Sequence, residues 1–186
     1  MMKLFEKRNI FLLSTLLLIF FSNTSFEKKK TFFVANPTSN TYSIVVEKSL
    51  YELNLFDSTG ELLITYPVVF GSIDLGDKLT EGDRRTPEGV YHILQKRKHE
   101  KWDHFMLLDY PTKENIQKFN ERKAKGLISK NAKIGGGIGI HGTWPDQDFA
   151  VDLYQNWTQG CISTKNEYIQ DLYKVLPVGT RVEIKR

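Results

Sequence analysis

Apolar residues in the first half of the chain recur at every second position over short stretches. Leu50-Tyr51-Glu52-Leu53-Asn54-Leu55-Phe56 alternates apolar with polar side chains, and Ser43-Ile44-Val45-Val46 before it is rich in branched residues, so both read as strands. Asp57-Ser58-Thr59-Gly60 has turn chemistry, and the strand pattern resumes from Glu61 to Phe70, which predicts a hairpin. A polar, glycine-containing loop follows from Gly71 to Arg85. It ends at Thr86-Pro87-Glu88-Gly89, where proline in second place and glycine in fourth fit a type I turn, and Val90 to Leu94 is predicted as the next strand. Trp102 to Tyr110 is apolar and reads as extended.

The period then changes. Lys113 to Lys125 sets Ile116 and Phe119 on one side among many charges and stops at Gly126, which predicts a solvated surface helix. A glycine-dense run from Ile134 leads to His141. Later, Ile169, Leu172, Tyr173 and Leu176 recur at helical spacing behind Thr164-Lys165-Asn166-Glu167, which has the Ser/Thr-x-x-Glu form of a capping box. Pro177 to Thr180 turns the chain, and Arg181 to Ile184 closes it as a strand. Six or more strand-like segments with two helices predict a mostly β domain of the α+β class.

Ahead of this domain stand a basic start (Lys3, Lys7, Arg8), an apolar run from Ile10 to Phe21 broken only by Ser14 and Thr15, and a small polar exit at Ser22-Asn23-Thr24-Ser25. This is the form of a secretory signal. It is short for a spanning helix, which needs about 20 apolar residues. No Ala-x-Ala marks a cleavage site, so an uncleaved anchor stays open. The expected organisation is a signal peptide or N-terminal anchor over 1–26, a linker over 27–41 and one domain over 42–186. Export to the periplasm or cell wall is expected, with membrane attachment only through an uncleaved N-terminal segment.

Charge supports that division. The net charge is +4, but residues 1–30 hold six Lys/Arg and two Asp/Glu, which leaves 20 of each sign in the remainder. A domain balanced in this way has no excess of basic residues for a phosphate backbone, so no nucleic-acid partner is expected.

Cys161 is the single cysteine of the chain. In an exported protein it has no internal disulfide partner, so it is either a bridge to another chain or a free thiol, and a free thiol is either buried as a small hydrophobe or kept for its chemistry. A thiol attacks only as thiolate and needs a base or a positive influence to do so. His141, twenty positions upstream in Ile140-His141-Gly142-Thr143, is the candidate base and is expected to lower the thiol pKa, with a small contribution from the dipole of the helix predicted just beyond Cys161. Gly137-Ile138-Gly139-Ile140-His141-Gly142 matches G-x-G-x-x-G formally, but Thr143-Trp144-Pro145 follows where a helix would have to open, so nucleotide binding is set aside. Asp146, Asp148 and Asp152 do not form a calcium loop, because Val151 and Trp157 stand where glycine and glutamate are required. One cysteine and no His-Glu-x-x-His exclude the common zinc motifs. No metal and no cofactor are expected, and His92, His99 and His104 are assigned to surface or packing roles.

The string His141-Gly142, fifteen residues, then Thr158-x-Gly160-Cys161 resembles the signature of the L,D-transpeptidase catalytic domain (YkuD-like) family. The resemblance extends over about residues 42 to 185, through Tyr66-Pro67-Val68-Val69-Phe70-Gly71, Thr86-Pro87-Glu88-Gly89-Val90-Tyr91, Leu108-Asp109-Tyr110-Pro111 and Val175-Leu176-Pro177-Val178-Gly179-Thr180. Two positions depart from the family pattern: Gln159 replaces the histidine before Gly-Cys, and Ser163 stands where Arg or Asn is usual. The resemblance implies a β-sandwich or barrel, with a helix after the catalytic Cys and a surface helix before the catalytic His. It implies a cell-wall enzyme in which the Cys161 thiolate attacks the carbonyl of the third residue of a peptidoglycan stem tetrapeptide, His141 takes the proton, and an amine resolves the thioester. That amine would come from a second stem, a protein lysine or a free D-amino acid. Gly142, Thr158, Gln159 and Gly160 are implied as positioning or oxyanion residues, with a carbonyl near Gly142 orienting His141. Two alternatives remain: a carboxypeptidase or amidase in which water resolves the thioester, and a noncatalytic wall-binding protein.

Overall fold

The computed structural model describes residues 41–186; the predicted leader and all of the linker but Thr41 lie outside them. The strands are β1 (Tyr42–Glu47), β2 (Glu52–Asp57), β3 (Leu62–Pro67), β4 (Gly89–His99), β5 (Asp103–Leu108), β6 (Gly139–His141), β7 (Ile162–Ser163) and β8 (Arg181–Lys185). The helices are α1 (Lys113–Ala124), the single turn α2 (Phe149–Asp152) and α3 (Asn166–Val175). All eight strands form one sheet in the order β3-β2-β1-β8-β4-β5-β6-β7. The fold is mostly β with few helices, as the pattern of the sequence predicts. Among the described residues no helix is long and apolar enough to cross a membrane.

β1, β2 and β3 form an antiparallel meander, in which Ile44 and Val46, and Leu53 and Leu55, are buried. β8 lies parallel to β1 and antiparallel to β4 and so joins this meander to the rest of the sheet. The second predicted strand begins later than its pattern suggests, because Lys48–Leu50 forms a 3-10 turn and Tyr51 takes a left-handed conformation with φ 57°. The cause is Lys48, which is fully buried; its ammonium reaches Glu88 at 2.8 Å and the carbonyls of Gly76 and Thr86 at 3.2 and 3.1 Å. A buried charge needs such partners, and the chain turns inward to reach them.

β4 runs five residues beyond Leu94, the predicted end of its strand, through charged Gln95–His99. Its pairing with β5 passes from Ile93↔Leu108 to Gln95↔Leu107, so Leu94 is an extra residue in a β-bulge. Beyond the bulge the alternation of β4 is reversed. Lys96 turns toward α3, where its ammonium bonds the carbonyls of Tyr173 and Leu176 at 2.5 Å each, a cation at a helix C-terminus. Arg97 turns to the opposite face.

α3 covers one face of β5, β6 and β7. Ile169 and Leu172 are buried in the same core as Met106, Ile140 and Ile162, which are mutually in register across the three strands. Each such side chain contributes about 1.5–3 kcal/mol by its burial. The capping box predicted at Thr164 does not form. The Thr164 hydroxyl bonds the Pro67 carbonyl at 2.8 Å, and the N-cap is Lys165, with no side-chain cap. The capping box that exists is on α1, where Thr112 and Asn115 exchange bonds.

Candidate active site

Side chains alternate along a strand, so the residues between Met106, Ile140 and Ile162 point away from α3. The register Arg97↔Phe105↔His141↔Ser163 runs across β4, β5, β6 and β7 on that open face. The neighbouring rung is Gln95↔Leu107↔Gly139, and Cys161, two residues before Ser163, falls on the same side. His141 on β6 and Cys161, immediately before the parallel strand β7, thus come to the same side, and both line a cavity of about 670 Å³.

His141 is held from three sides. Its Nδ1 lies 2.7 Å from the carbonyl of Gly142, which accepts only from N–H, so the proton resides on Nδ1 and the Nε2 lone pair is left free as a base. The Ser163 hydroxyl donates to the same carbonyl at 3.2 Å. The ring stacks on Trp102 at 4.6 Å and on Phe105 at 6.0 Å, with Trp157 edge-on at 5.4 Å. Burial in this aromatic setting pulls the imidazole down to about 4; the Gly142 bond opposes that shift and the nearby His99 adds to it. The carbonyl is in place because Gly142 packs closely: a Cβ there would stand 2.2 Å from Asn166 Oδ1 and 2.8 Å from the Trp102 carbonyl.

Cys161 sits at the end of a turn closed by Thr158. The Thr158 hydroxyl donates to the Cys161 carbonyl at 2.8 Å and accepts from the Gly160 N–H at 3.1 Å. Arg84 Nε holds the Thr158 carbonyl at 3.2 Å. Gly160 takes φ 122°, and a Cβ there would meet the Arg85 carbonyl at 2.8 Å, so glycine is required on both conformation and space. Because its N–H is engaged by Thr158, Gly160 shapes the turn and is not free to donate to an oxyanion. Gln159 is exposed and lines the cavity.

Two electrostatic expectations are corrected. Burial pushes the Cys161 thiol up to about 11, against smaller lowering influences from a Gly139 backbone bond and the Lys78 ammonium; His141, being neutral, does not pull it down. The helix dipole is also weaker at the thiol than expected. β7 separates Cys161 from α3, and the carboxylate of Asp148 accepts from the Asn166 N–H at 3.0 Å at the helix start. Asp148 also accepts from the Thr143 hydroxyl and so ties that loop to the start of α3. No three His, Cys, Asp or Glu side chains among the described residues gather as a metal site would require.

The walls of the cavity were not read from the sequence. All three tryptophans of the chain, Trp102, Trp144 and Trp157, line it together with Phe105, Leu107, Gln95 and Arg97. His99, assigned a surface or packing role, stacks on Trp102 at 4.3 Å and 6°. The one available signal was that Phe105 and Leu107 share a strand face; the tryptophans come from separate loops and have no common period.

The chain belongs to the L,D-transpeptidase catalytic domain (YkuD) family, whose model matches residues 41–184. Among solved structures it is similar in fold to the helical cell shape determining protein Pgp2 from Campylobacter jejuni, at 23% identity and TM-score 0.58, over 78% of this chain and 48% of that one. Bd1075 of Bdellovibrio bacteriovorus follows at 22% and 0.55, over 78% and 48%, and an L,D-transpeptidase of Enterococcus faecium at 16% and 0.52, over 78% and 50%. The chain thus spans about half the length of these proteins. No curated protein sequence matches it.

Proposed function

We propose that this protein is an exported peptidoglycan L,D-transpeptidase, with Cys161 as nucleophile and His141 as general base. The observation that carries the reading is the free Nε2 of His141, fixed by the Gly142 carbonyl, on the same sheet face and in the same cavity as Cys161. With the imidazole near 4 and the thiol near 11, the resting pair is neutral. Proton transfer therefore accompanies attack and does not precede it. As Sγ bonds the carbonyl carbon of the third stem residue, His141 Nε2 takes the thiol proton. Collapse of the tetrahedral intermediate breaks the C–N bond, and the imidazolium returns that proton to the departing amine of the terminal D-amino acid. An acceptor amine then attacks the thioester, His141 takes its proton, and the leaving thiolate recovers it.

Gln159 decides between amine and water as acceptor. An amide cannot exchange protons at working pH, but it hydrogen-bonds as a neutral imidazole does. Its place in the cavity wall suits holding an acceptor, and a held amine outcompetes water by its effective concentration. The test supplies a tetrapeptide donor with a D-amino acid and separates exchange product from tripeptide by mass spectrometry. Exchange product is expected to dominate at saturating amine; tripeptide alone would make the protein an L,D-carboxypeptidase.

A further inference from the structure

Among the described residues a single formal charge faces the cavity. Apart from the neutral His141 and Cys161, its lining consists of aromatic, aliphatic, amide, hydroxyl and glycine positions and one cation, Arg97. Arg85, Arg122 and Arg181 are each paired with a carboxylate and Arg84 bonds the Thr158 carbonyl, whereas the exposed Arg97 has neither kind of partner among the described residues. Its guanidinium lies over the ring of Phe105 at 5.2 Å. The placement depends on the bulge at Leu94. Tyr91 and Ile93 face the core, and unbroken alternation would send Arg97 the same way; the extra residue turns it onto the rung of Phe105 and His141 instead. A bulge that re-aims an unpaired guanidinium into an otherwise neutral aromatic cavity calls for an anionic ligand there.

We propose that Arg97 is the specificity-determining residue of this site and binds a carboxylate of the donor peptide. This rests on the acyl-transfer reading above. The guanidinium stands over β5, two strand spacings or about 10 Å from β7 and Cys161. A donor with its reacting carbonyl at Sγ therefore lies across Phe105 and His141 to reach it. Two carboxylates could make the contact: that of the departing terminal residue, and a side-chain carboxylate on the third residue. The planar fork of arginine bonds either in bidentate fashion.

The experiment uses three donor peptides: the free acid, the terminal carboxamide and the side-chain carboxamide. Each is assayed with wild type, Arg97→Gln and Arg97→Lys. For wild type, amidating the recognised carboxylate is expected to lower kcat/KM about tenfold or more, mainly through KM. Arg97→Gln should lose a similar factor on the free acid and nothing further on that amide, with Arg97→Lys in between. The amide on which Arg97→Gln and wild type agree identifies the carboxylate. Alkylation of Cys161 by iodoacetamide should proceed equally in wild type and Arg97→Gln. An Arg97→Gln variant that distinguishes acid from both amides as wild type does overturns the proposal, as does an altered alkylation rate. Calorimetric binding of the same peptides to Cys161→Ala reads the contact without turnover. Carboxylate-dependent binding that needs Arg97, in a protein that turns over no donor, would sink the transpeptidase reading and leave this one standing.

Discussion

On β5, β6 and β7, the face under α3 presents Met106, Ile140 and Ile162, all fully buried, while the opposite face presents Phe105, His141 and Cys161 to the cavity. The two sets alternate along the same short strands, so a slip of one residue would exchange them, sending the histidine into the core and the isoleucines into the cavity. β6 and β7 have three and two residues, too few to fix a register by pairing alone. Register is set from outside: the Val69–Ser163 bridge, the Thr158 ties, and the close packing of Gly142 on Asn166 at the start of α3. Chemistry on one face thus depends on packing on the other only through register, and the two are separable by mutation.

The largest effect should come from the open face. Cys161→Ala is expected to lower turnover on the order of 10⁴-fold or more, and to abolish the single covalent adduct expected of the wild-type thiol with a carbapenem in intact-mass spectrometry, with the urea midpoint unmoved. An adduct that survives the substitution would remove Cys161 from its assigned role. On the covered face, Ile140→Ala should cost about 2–5 kcal/mol of stability while the folded fraction keeps its turnover. Normal stability with lost turnover in that variant would break the division between the faces.

His141 connects the two by its burial. Its imidazole titrates at about 4 in the folded chain against 6.5 when free, so between these values the unfolded state binds more protons. Stability is therefore complete above pH 6.5 and is lost as the pH falls toward 4, by on the order of 3 kcal/mol at 1.36 kcal/mol per pH unit. Urea titrations across this range should show the slope in wild type and lack that part of it in His141→Gln. The smallest effect concerns Lys96, whose side chain leaves β4 on the α3 side next to Arg97 on the other. Lys96→Met should cost about 1 kcal/mol and leave the KM for donor unchanged, the reverse of what Arg97→Gln does.

How much of this could be read from the chain depends on whether a feature is local. The meander, α1, α3 and the pairing of His141 with Cys161 follow from period, turn residues and a spaced motif, all contained in short windows. The second half of β4 could not be read in the same way, because Gln95–His99 has a solvent- or cavity-facing side and no apolar alternation to betray a strand. Leu94 gave no sign of a bulge, since an exposed leucine satisfies either alternation. The aromatic walls were invisible because they assemble from positions up to 55 apart, Trp102 to Trp157, which only the tertiary fold brings together. The capping box at Thr164 failed for a similar reason: its hydroxyl is tied to a carbonyl of Pro67, distant in sequence, and the helix opens one residue later with Lys165 as N-cap.

The place of β8 has a consequence for the order of assembly. Of the eight described strands it alone touches both β1 and β4, and it is the last of them to leave the ribosome. The β1–β3 meander is a local structure that can form early, but the cavity-bearing half has nothing to dock on until Arg181–Lys185 is available. Closure of the sheet is therefore a late, long-range event of high contact order, and slow on that account. Until it happens the flanking edges of β1 and β4 stand open, and a chain cut short before residue 181 would present both to its neighbours.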